Sequence, residues 1–304
     1  MRGITLASRS AAVVVSLSLG LSTGLMAQVQ TGEQQVDSPV LGYWIGAGPQ
    51  LRAMLGIPGA ARLSDPLPVP DGTTAVDMAS GGAWVLVQRA TDCLALNPAL
   101  NQMAAIANFA PASWAYSPSG TWLALYDAGS GQIRTYSGLP AAPKPEASLA
   151  APAFDQLAIS DAGAVVFAAG GSLTDKSGAL LYQSNAPLGP IAFAVARQQL
   201  YAFDAASGGL MELSNAPRVV AAGFGKPDAL YVSDRAYAGD SASGVLWAVD
   251  LASGSATAIT VPVSRITGAR LGGAVFVSLR GDSPVWLLNG SNLSFVPALA
   301  GGGQ

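Results

Sequence analysis

The chain has no histidine in its 304 residues. That absence excludes Ser-His-Asp and Cys-His nucleophilic sites, histidine-bearing zinc sites and haem attachment through a Cys-His motif. It also removes the commonest general base. Cysteine occurs once, at Cys93, so no intrachain disulfide forms. Cys93 sits in the apolar run "CLALN" with no histidine to activate it, and reads as an inert strand cysteine. Charged residues are 11 % of the chain, against about 25 % in ordinary soluble domains. No basic tract is present, which argues against a nucleic-acid partner. Beyond residue 27 there is neither a G-x-S-x-G elbow nor a G-x-x-x-x-G-K-[ST] phosphate loop. Neither a cofactor nor a metal is expected.

Long apolar runs are confined to the N-terminus. Arg2 and Arg9 precede the apolar stretch Ala11–Ala27, and polar sequence begins at Gln28. This is the layout of a cleaved signal peptide over residues 1–27. The stretch holds 17 residues with Ser and Gly among them, short for a membrane span. No stable membrane insertion is expected after cleavage, and no cysteine near the boundary offers a lipid anchor. Loss of Arg2 and Arg9 leaves 13 basic against 18 acidic residues. The expected product is exported, periplasmic or extracellular, and monomeric. Residues 28–38 read as a flexible arm, 39–300 as one domain and 301–304 as a tail.

What is present is a repeat. A strand, a tight turn and a second strand recur at Thr74–Arg89, Ser113–Asp127, Gln156–Ala169, Ile191–Asp204, Val219–Asp234 and Ile266–Leu279. Turn-to-turn spacing is about 28 to 46 residues, near the period of propeller blades. In the fifth copy "GFGKPD" is the expected connection. Third strands follow at "CLALN", "QIRTY", "ALLYQ", "LMELS", "VLWAV" and "VWLLN", with a fourth at Ala256–Val261 and Leu293–Val296. The strands are rich in Val, Leu, Ile and aromatics and are bounded by Gly, Asp, Ser and Pro. Gly accepts positive φ in the turns, and Asp or Ser bonds the turn backbone. No window carries a capped helical stripe. The segments "PLPVPDG" from Pro66 and "PAAPKPEASLAAP" from Pro140 read as loops. The pair "LGYWIGAG" and "QLRAMLG" before the repeats reads as part of a seventh blade or as closure strands. The expected fold is all-β, a β-propeller of six or seven blades of short antiparallel strands.

"YSPSGTWLALYD" from Tyr116 and "SDAGAVVFAA" from Ser160 resemble the repeats of bacterial TolB-type and WD40-like propellers. "LYAFDAASGGLMELS" from Leu200 and "LWAVDLASGSATAIT" from Leu246 are similar to the strand–D-x-x-(S/T)-G–strand hairpins of such secreted proteins. The resemblance covers about 220 residues. The chain departs from true WD40 repeats in lacking histidine and a Trp-Asp ending, so no signalling role follows.

Asp127, Asp204 and Asp250 end strands before "AGSG", "AASGG" and "LASG", the position of a turn cap. Asp71 and Asp161 read the same way. Asp234 and Asp240 flank "DRAYAGDSASG", read as an insertion loop in which Tyr237 is the aromatic expected at the surface. Asp77 and Asp155 are expected to face a central channel. Trp84, Trp122, Trp247 and Trp286 are expected to pack between blades, with Tyr43 and Trp44 covering the closure. The sequons at Asn289 and Asn292 are given little weight in a chain of bacterial style. Every one of these residues has a structural explanation. The leading expectation is a noncatalytic binding or scaffold module with a protein or glycan partner in the cell envelope. The competing readings are a carboxylate-dependent hydrolase or lyase on carbohydrate or lactone substrates, centred on Asp234, Asp240 and Tyr237, and a structural envelope protein.

Overall fold

The computed structural model of the protein describes residues 38–260 apart from 47, 58, 196–198 and 214–215. It also describes the strand residues 265–268, 275–278, 285–289 and 292–296. The expected signal segment 1–27, residues 28–37 of the arm and the tail 301–304 lie outside the described residues.

The described residues form seven antiparallel sheets in sequence order. The first has three strands, β1 (Val40–Ile45), β2 (Leu51–Leu55) and β3 (Arg62–Leu67). Six four-stranded blades follow. Blade one holds β4 (Thr73–Met78), β5 (Val85–Arg89), β6 (Cys93–Asn97) and β7 (Gln102–Ala107). Blade two holds β8 (Ser113–Tyr116), β9 (Leu123–Asp127), β10 (Gln132–Ser137) and β11 (Lys144–Ala150). Blade three holds β12 (Gln156–Ile159), β13 (Val165–Ala169), β14 (Ser172–Asp175) and β15 (Leu180–Gln183). Blade four holds β16 (Leu188–Phe193), β17 (Leu200–Asp204), β18 (Gly209–Leu213) and β19 (Arg218–Ala222). Blade five holds β20 (Ala229–Val232), β21 (Arg235–Asp240), β22 (Val245–Asp250) and β23 (Ala256–Thr260). Blade six holds β24 (Arg265–Gly268), β25 (Val275–Ser278), β26 (Val285–Asn289) and β27 (Asn292–Val296). The fold is a β-propeller with six full blades. Blades begin at residues 73, 113, 156, 188, 229 and 265, so the period runs from 32 to 43 residues. Among the described residues the one short helical element is a 3-10 turn at Ser80–Gly82.

Alternation of side chains sets the ring. In β9, Leu123 and Leu125 pack against Trp84, Leu86 and Cys93 of blade one. Ala124, between them, points the other way onto Ile159, Val165 and Phe167 of blade three. A period of two places both faces of each sheet in apolar contact. Further clusters join blades three and four, four and five, and five and six. The three-stranded sheet is clasped in the same way. Tyr43, Leu51 and Ala53 pack on Val76, Met78 and Val85 of blade one, while Leu41, Met54 and Leu63 pack on Val296 of blade six. It therefore fills the seventh position and closes the ring with three strands. Burial of this strand surface, at about 25 cal/mol per Å², is the main source of stability.

Four expectations need correction. "GFGKPD" is the link from β19 to β20, and the first hairpin of blade five is β20–β21, closed at Ser233–Asp234. The supposed insertion after Asp234 is the strand β21. "ALLYQ" supplies the fourth strand of its blade, because Ser172–Asp175 is already the third. Part of the expected loop after Pro140 is β11, whose Pro145 lies opposite Tyr136 at a register shift. The outermost strand tolerates proline because its outer edge has no partner to bond.

Antiparallel topology sends the turns to two faces. Turns between first and second strands, and between third and fourth, lie on one side, here the near face. Turns between second and third strands, and the links between blades, lie on the far face.

Candidate functional site

Four far-face or hairpin turns share the sequence D-x-x-S-G: Asp127–Gly131, Asp204–Gly208, Asp240–Gly244 and Asp250–Gly254. Each carboxylate accepts backbone N–H groups of its own turn. Asp250 accepts from Ala252 N at 3.0 Å and Ser253 N at 2.8 Å. Asp240 accepts from Ala242 N at 3.0 Å and Ser243 N at 3.1 Å, and its other oxygen takes Lys226 N at 3.2 Å. Asp127 accepts from Gly129 N and Ser130 Oγ, and Asp204 from Ala206 N and Ser184 Oγ. The closing glycines all have positive φ, 61° to 71°, the region that glycine enters without strain.

The hydrogen bonds hold these groups ionised. For Asp250 the Ser253 amide and hydroxyl keep the carboxyl below its usual range. For Asp240, burial acts upward, but the Ser243, Lys226 and Ala242 bonds outweigh it and the carboxyl is lowered. A carboxylate lowered in this way is a poor proton donor near neutral pH.

The residues of the carboxylate-enzyme reading do not converge. Tyr237 is buried inside β21, 2 % exposed, with its ring against Tyr231. It is not a surface aromatic. Asp234 closes the near-face turn, accepting from Arg235 N and Ser233 Oγ. Asp240 lies at the opposite end of the same strand. At about 3.3 Å per residue, the six residues of β21 separate them by about 20 Å. Paired glycosidase carboxylates stand about 5–9 Å apart. Asp155 accepts from Gly170 N in its own blade, and Asp161 accepts from Ser119 N and Oγ of blade two, tying neighbouring turns. Among the described residues no group of three or more Cys, Asp or Glu is placed to hold a metal ion. No described helix is long and apolar enough to cross a membrane.

Asp77 does face the central channel, as expected. Two compartments of about 200 and 210 Å³ share Ser80, Trp114, Tyr116, Leu230 and Tyr231. Asp77 borders the second and accepts the indole N–H of Trp114. The Tyr116 hydroxyl is buried without a hydrogen-bond partner, and burial pushes its phenol well above the ordinary range. Burial, with Tyr237 and Asp234 nearby, pushes Tyr231 up to about 12. Both phenols stay protonated at neutral pH, so neither acts as a base there.

The larger opening is a cleft of about 520 Å³ on the near face between blades three and four. The β12–β13 turn gives Ala162, Gly163 and Ala164, and β13 gives Val165 and Val166. The β14–β15 turn gives Asp175 and Lys176, and β15 gives Leu181. Across the junction stand Phe193, Gln199, Leu200 and Leu213 of blade four. Leu181 is 45 % exposed, and its neighbour Leu180 is 60 % exposed. Asp175 is turned into its own turn, accepting from Ser177 N and Ala179 N. Lys176 is exposed and forms no ion pair among the described residues. Phe193 borders both the cleft and the channel. The sequence reading missed this cleft, because its two walls come from different blades.

No protein-family model and no curated protein matches the sequence. Among solved structures, a chain from the crystal structure of a nidogen/laminin complex is similar, with 13 % identity and a TM-score of 0.47. The match covers 77 % of this chain and 98 % of that one.

Proposed function

We propose that the protein is an exported, monomeric and noncatalytic binding module, a bacterial propeller of TolB-type or WD40-like repeat style that works in the periplasm or outside the cell. It holds a partner on its near face, centred on the cleft between blades three and four. The observation that carries this reading is the pairing of Leu181 with the apolar wall Phe193, Leu200 and Leu213 in an open cleft. Its volume lies in the range of ordinary binding pockets, about 300–1,000 Å³. A protein partner suits it better than a glycan. Sugar sites need an exposed aromatic platform and several polar acceptors, whereas the lining here is mainly aliphatic.

The test is site-directed photocrosslinking in the producing cell, with a photoreactive residue at Leu181 and, as control, at Val219 on β19. The reading expects a discrete crosslinked protein from the Leu181 position that is missing from the Val219 position. Identical patterns from the two positions would overturn it.

A further inference from the structure

We propose that the cleft between blades three and four recognises the C-terminus of a protein chain, taking its apolar side chains and pairing its α-carboxylate with Lys176. The inference rests on the binding reading above and adds the chemistry of the occupant. Three features of the cleft argue for it.

The first is polarity. Leu181, Phe193, Leu200 and Leu213 offer apolar surface, and an occupant that covers them must itself be apolar. The second is charge. The chain is acidic over all, yet Lys176, a cation at this rim, is not neutralised by an ion pair among the described residues. The neighbouring Asp175 carboxylate is directed to Ser177 and Ala179 in its own turn. An anion is the complementary group. The third is the shortage of backbone partners. Of the lining strands, β13, β17 and β18 are paired on both edges, and only the edge strands β15 and β16 keep one side open. A polypeptide running between the paired strands would leave its own amides unsatisfied, at a cost for each buried group. A chain that ends there submerges only its last side chains and keeps the preceding amides in water.

The experiment uses the full mature chain and four fluorescent probes. Two are the same hexapeptide ending in Leu-Phe, one with a free C-terminal carboxylate and one amidated. The third carries the Leu-Phe pair internally between serines, and the fourth is labelled decanoate. Binding is read by fluorescence anisotropy in low salt and in 1 M NaCl. The free-acid peptide is expected to bind about two- to fivefold tighter than the amide, the range of an exposed ion pair. That preference should vanish in 1 M NaCl, where screening acts within about 3 Å. Lys176→Glu should bring the acid down to the amide's affinity or below without weakening the amide. Leu181→Asp, at an exposed position that leaves the fold intact, should weaken both peptides about tenfold or more.

Equal affinity for acid and amide would overturn the proposal, as would tighter binding of the internal Leu-Phe probe. Binding of decanoate without the peptides would overturn it in favour of a small-molecule site. If no probe binds but the Leu181 crosslink persists, the C-terminal recognition falls while the binding reading stands. If the crosslink is lost as well, both fall.

Discussion

If stability resides in the junctions between blades, Trp84 is the place to measure it. Among the described residues it is the largest fully buried side chain, 1 % exposed. Its indole N–H donates to the Gly120 carbonyl of blade two at 2.8 Å. Its ring meets Tyr116 edge to face, with centroids 5.5 Å apart and planes at 85°. Trp84→Ala removes the ring and opens a cavity, worth about 3–5 kcal/mol. The orphaned Gly120 carbonyl adds about 1 kcal/mol. Trp84→Phe keeps a ring against Tyr116 and forfeits the hydrogen bond and part of the volume, so a loss of about 2 kcal/mol is expected. Domain stabilities are about 5–15 kcal/mol, so the alanine variant sits near the edge of folding. Urea unfolding followed by far-ultraviolet circular dichroism measures both variants, with unchanged m-values showing that the native and denatured states are unaltered. A Trp84→Ala loss below about 1.5 kcal/mol would refute the reasoning. So would equal losses for the two variants, because the cavity would then contribute nothing.

Other outcomes follow from single contacts. A Cβ on Gly163, whose φ is +74°, would come within 2.6 Å of the Trp122 ring. Gly163→Ala should therefore cost more in the wild-type background than beside Trp122→Ala, where only the backbone term of about 1–2 kcal/mol remains; additive losses in a double-mutant cycle would deny the contact. Asp240→Ala should cost about 2–3 kcal/mol by stranding the Lys226, Ala242 and Ser243 amides, with Asp240→Asn retaining part of it, as thermal or urea melts will show. The carboxyls of Asp204, Asp240 and Asp250 are lowered in the fold. Their contribution is present above the unfolded value near 3.9 and is lost as pH falls through the folded values beneath it. Tyr231 is raised to about 12, so its contribution is present below about pH 10 and fades as pH climbs from there towards 12. With no histidine to titrate, a urea midpoint series should be flat from pH 5 to 8. Burial pushes the Cys93 thiol up to about 12, so a thiol reagent at pH 8 should label it only as fast as the protein unfolds; prompt labelling of the native protein would contradict its burial.

The propeller was legible because each hairpin carries its own local instruction. Ser117 and Ser160 bond the amides that follow them, at Trp122, Ala162 and Ala164. The glycines at 120 and 163 take positive φ. Such turns are chosen within five residues and show in the sequence. The phase of blade five was not legible by composition, since a Gly- and Pro-rich link and a hairpin turn use the same residues. A better signal was there. Asp240–Gly244 repeats the D-x-x-S-G pattern ten residues before Asp250–Gly254. Two successive outer turns leave no room for a loop between Asp234 and Asp240, only for the strand that buries Tyr237. The outer strands β7, β11 and β19 were hard to see because a strand paired on one edge needs fewer apolar residues. In β11 the pattern is almost wholly exposed.

The cleft was illegible for a different reason. Leu181 and Lys176 belong to the outer hairpin of blade three, and Phe193, Leu200 and Leu213 to three strands of blade four. Nothing in the spacing of these residues marks them as neighbours. Their meeting depends on how two sheets pack, which the Val166, Leu173 and Leu188 cluster beneath them decides. The same division of labour accounts for what the carboxylates do. A chain with few charges has used Asp127, Asp204, Asp240 and Asp250 to fasten turns, where each must stay ionised and fixed. A residue committed to two or three amides is not free to shuttle protons or follow a substrate. On the proposed binding reading, recognition falls instead to side chains outside these fastenings, such as Leu181, its apolar wall and Lys176.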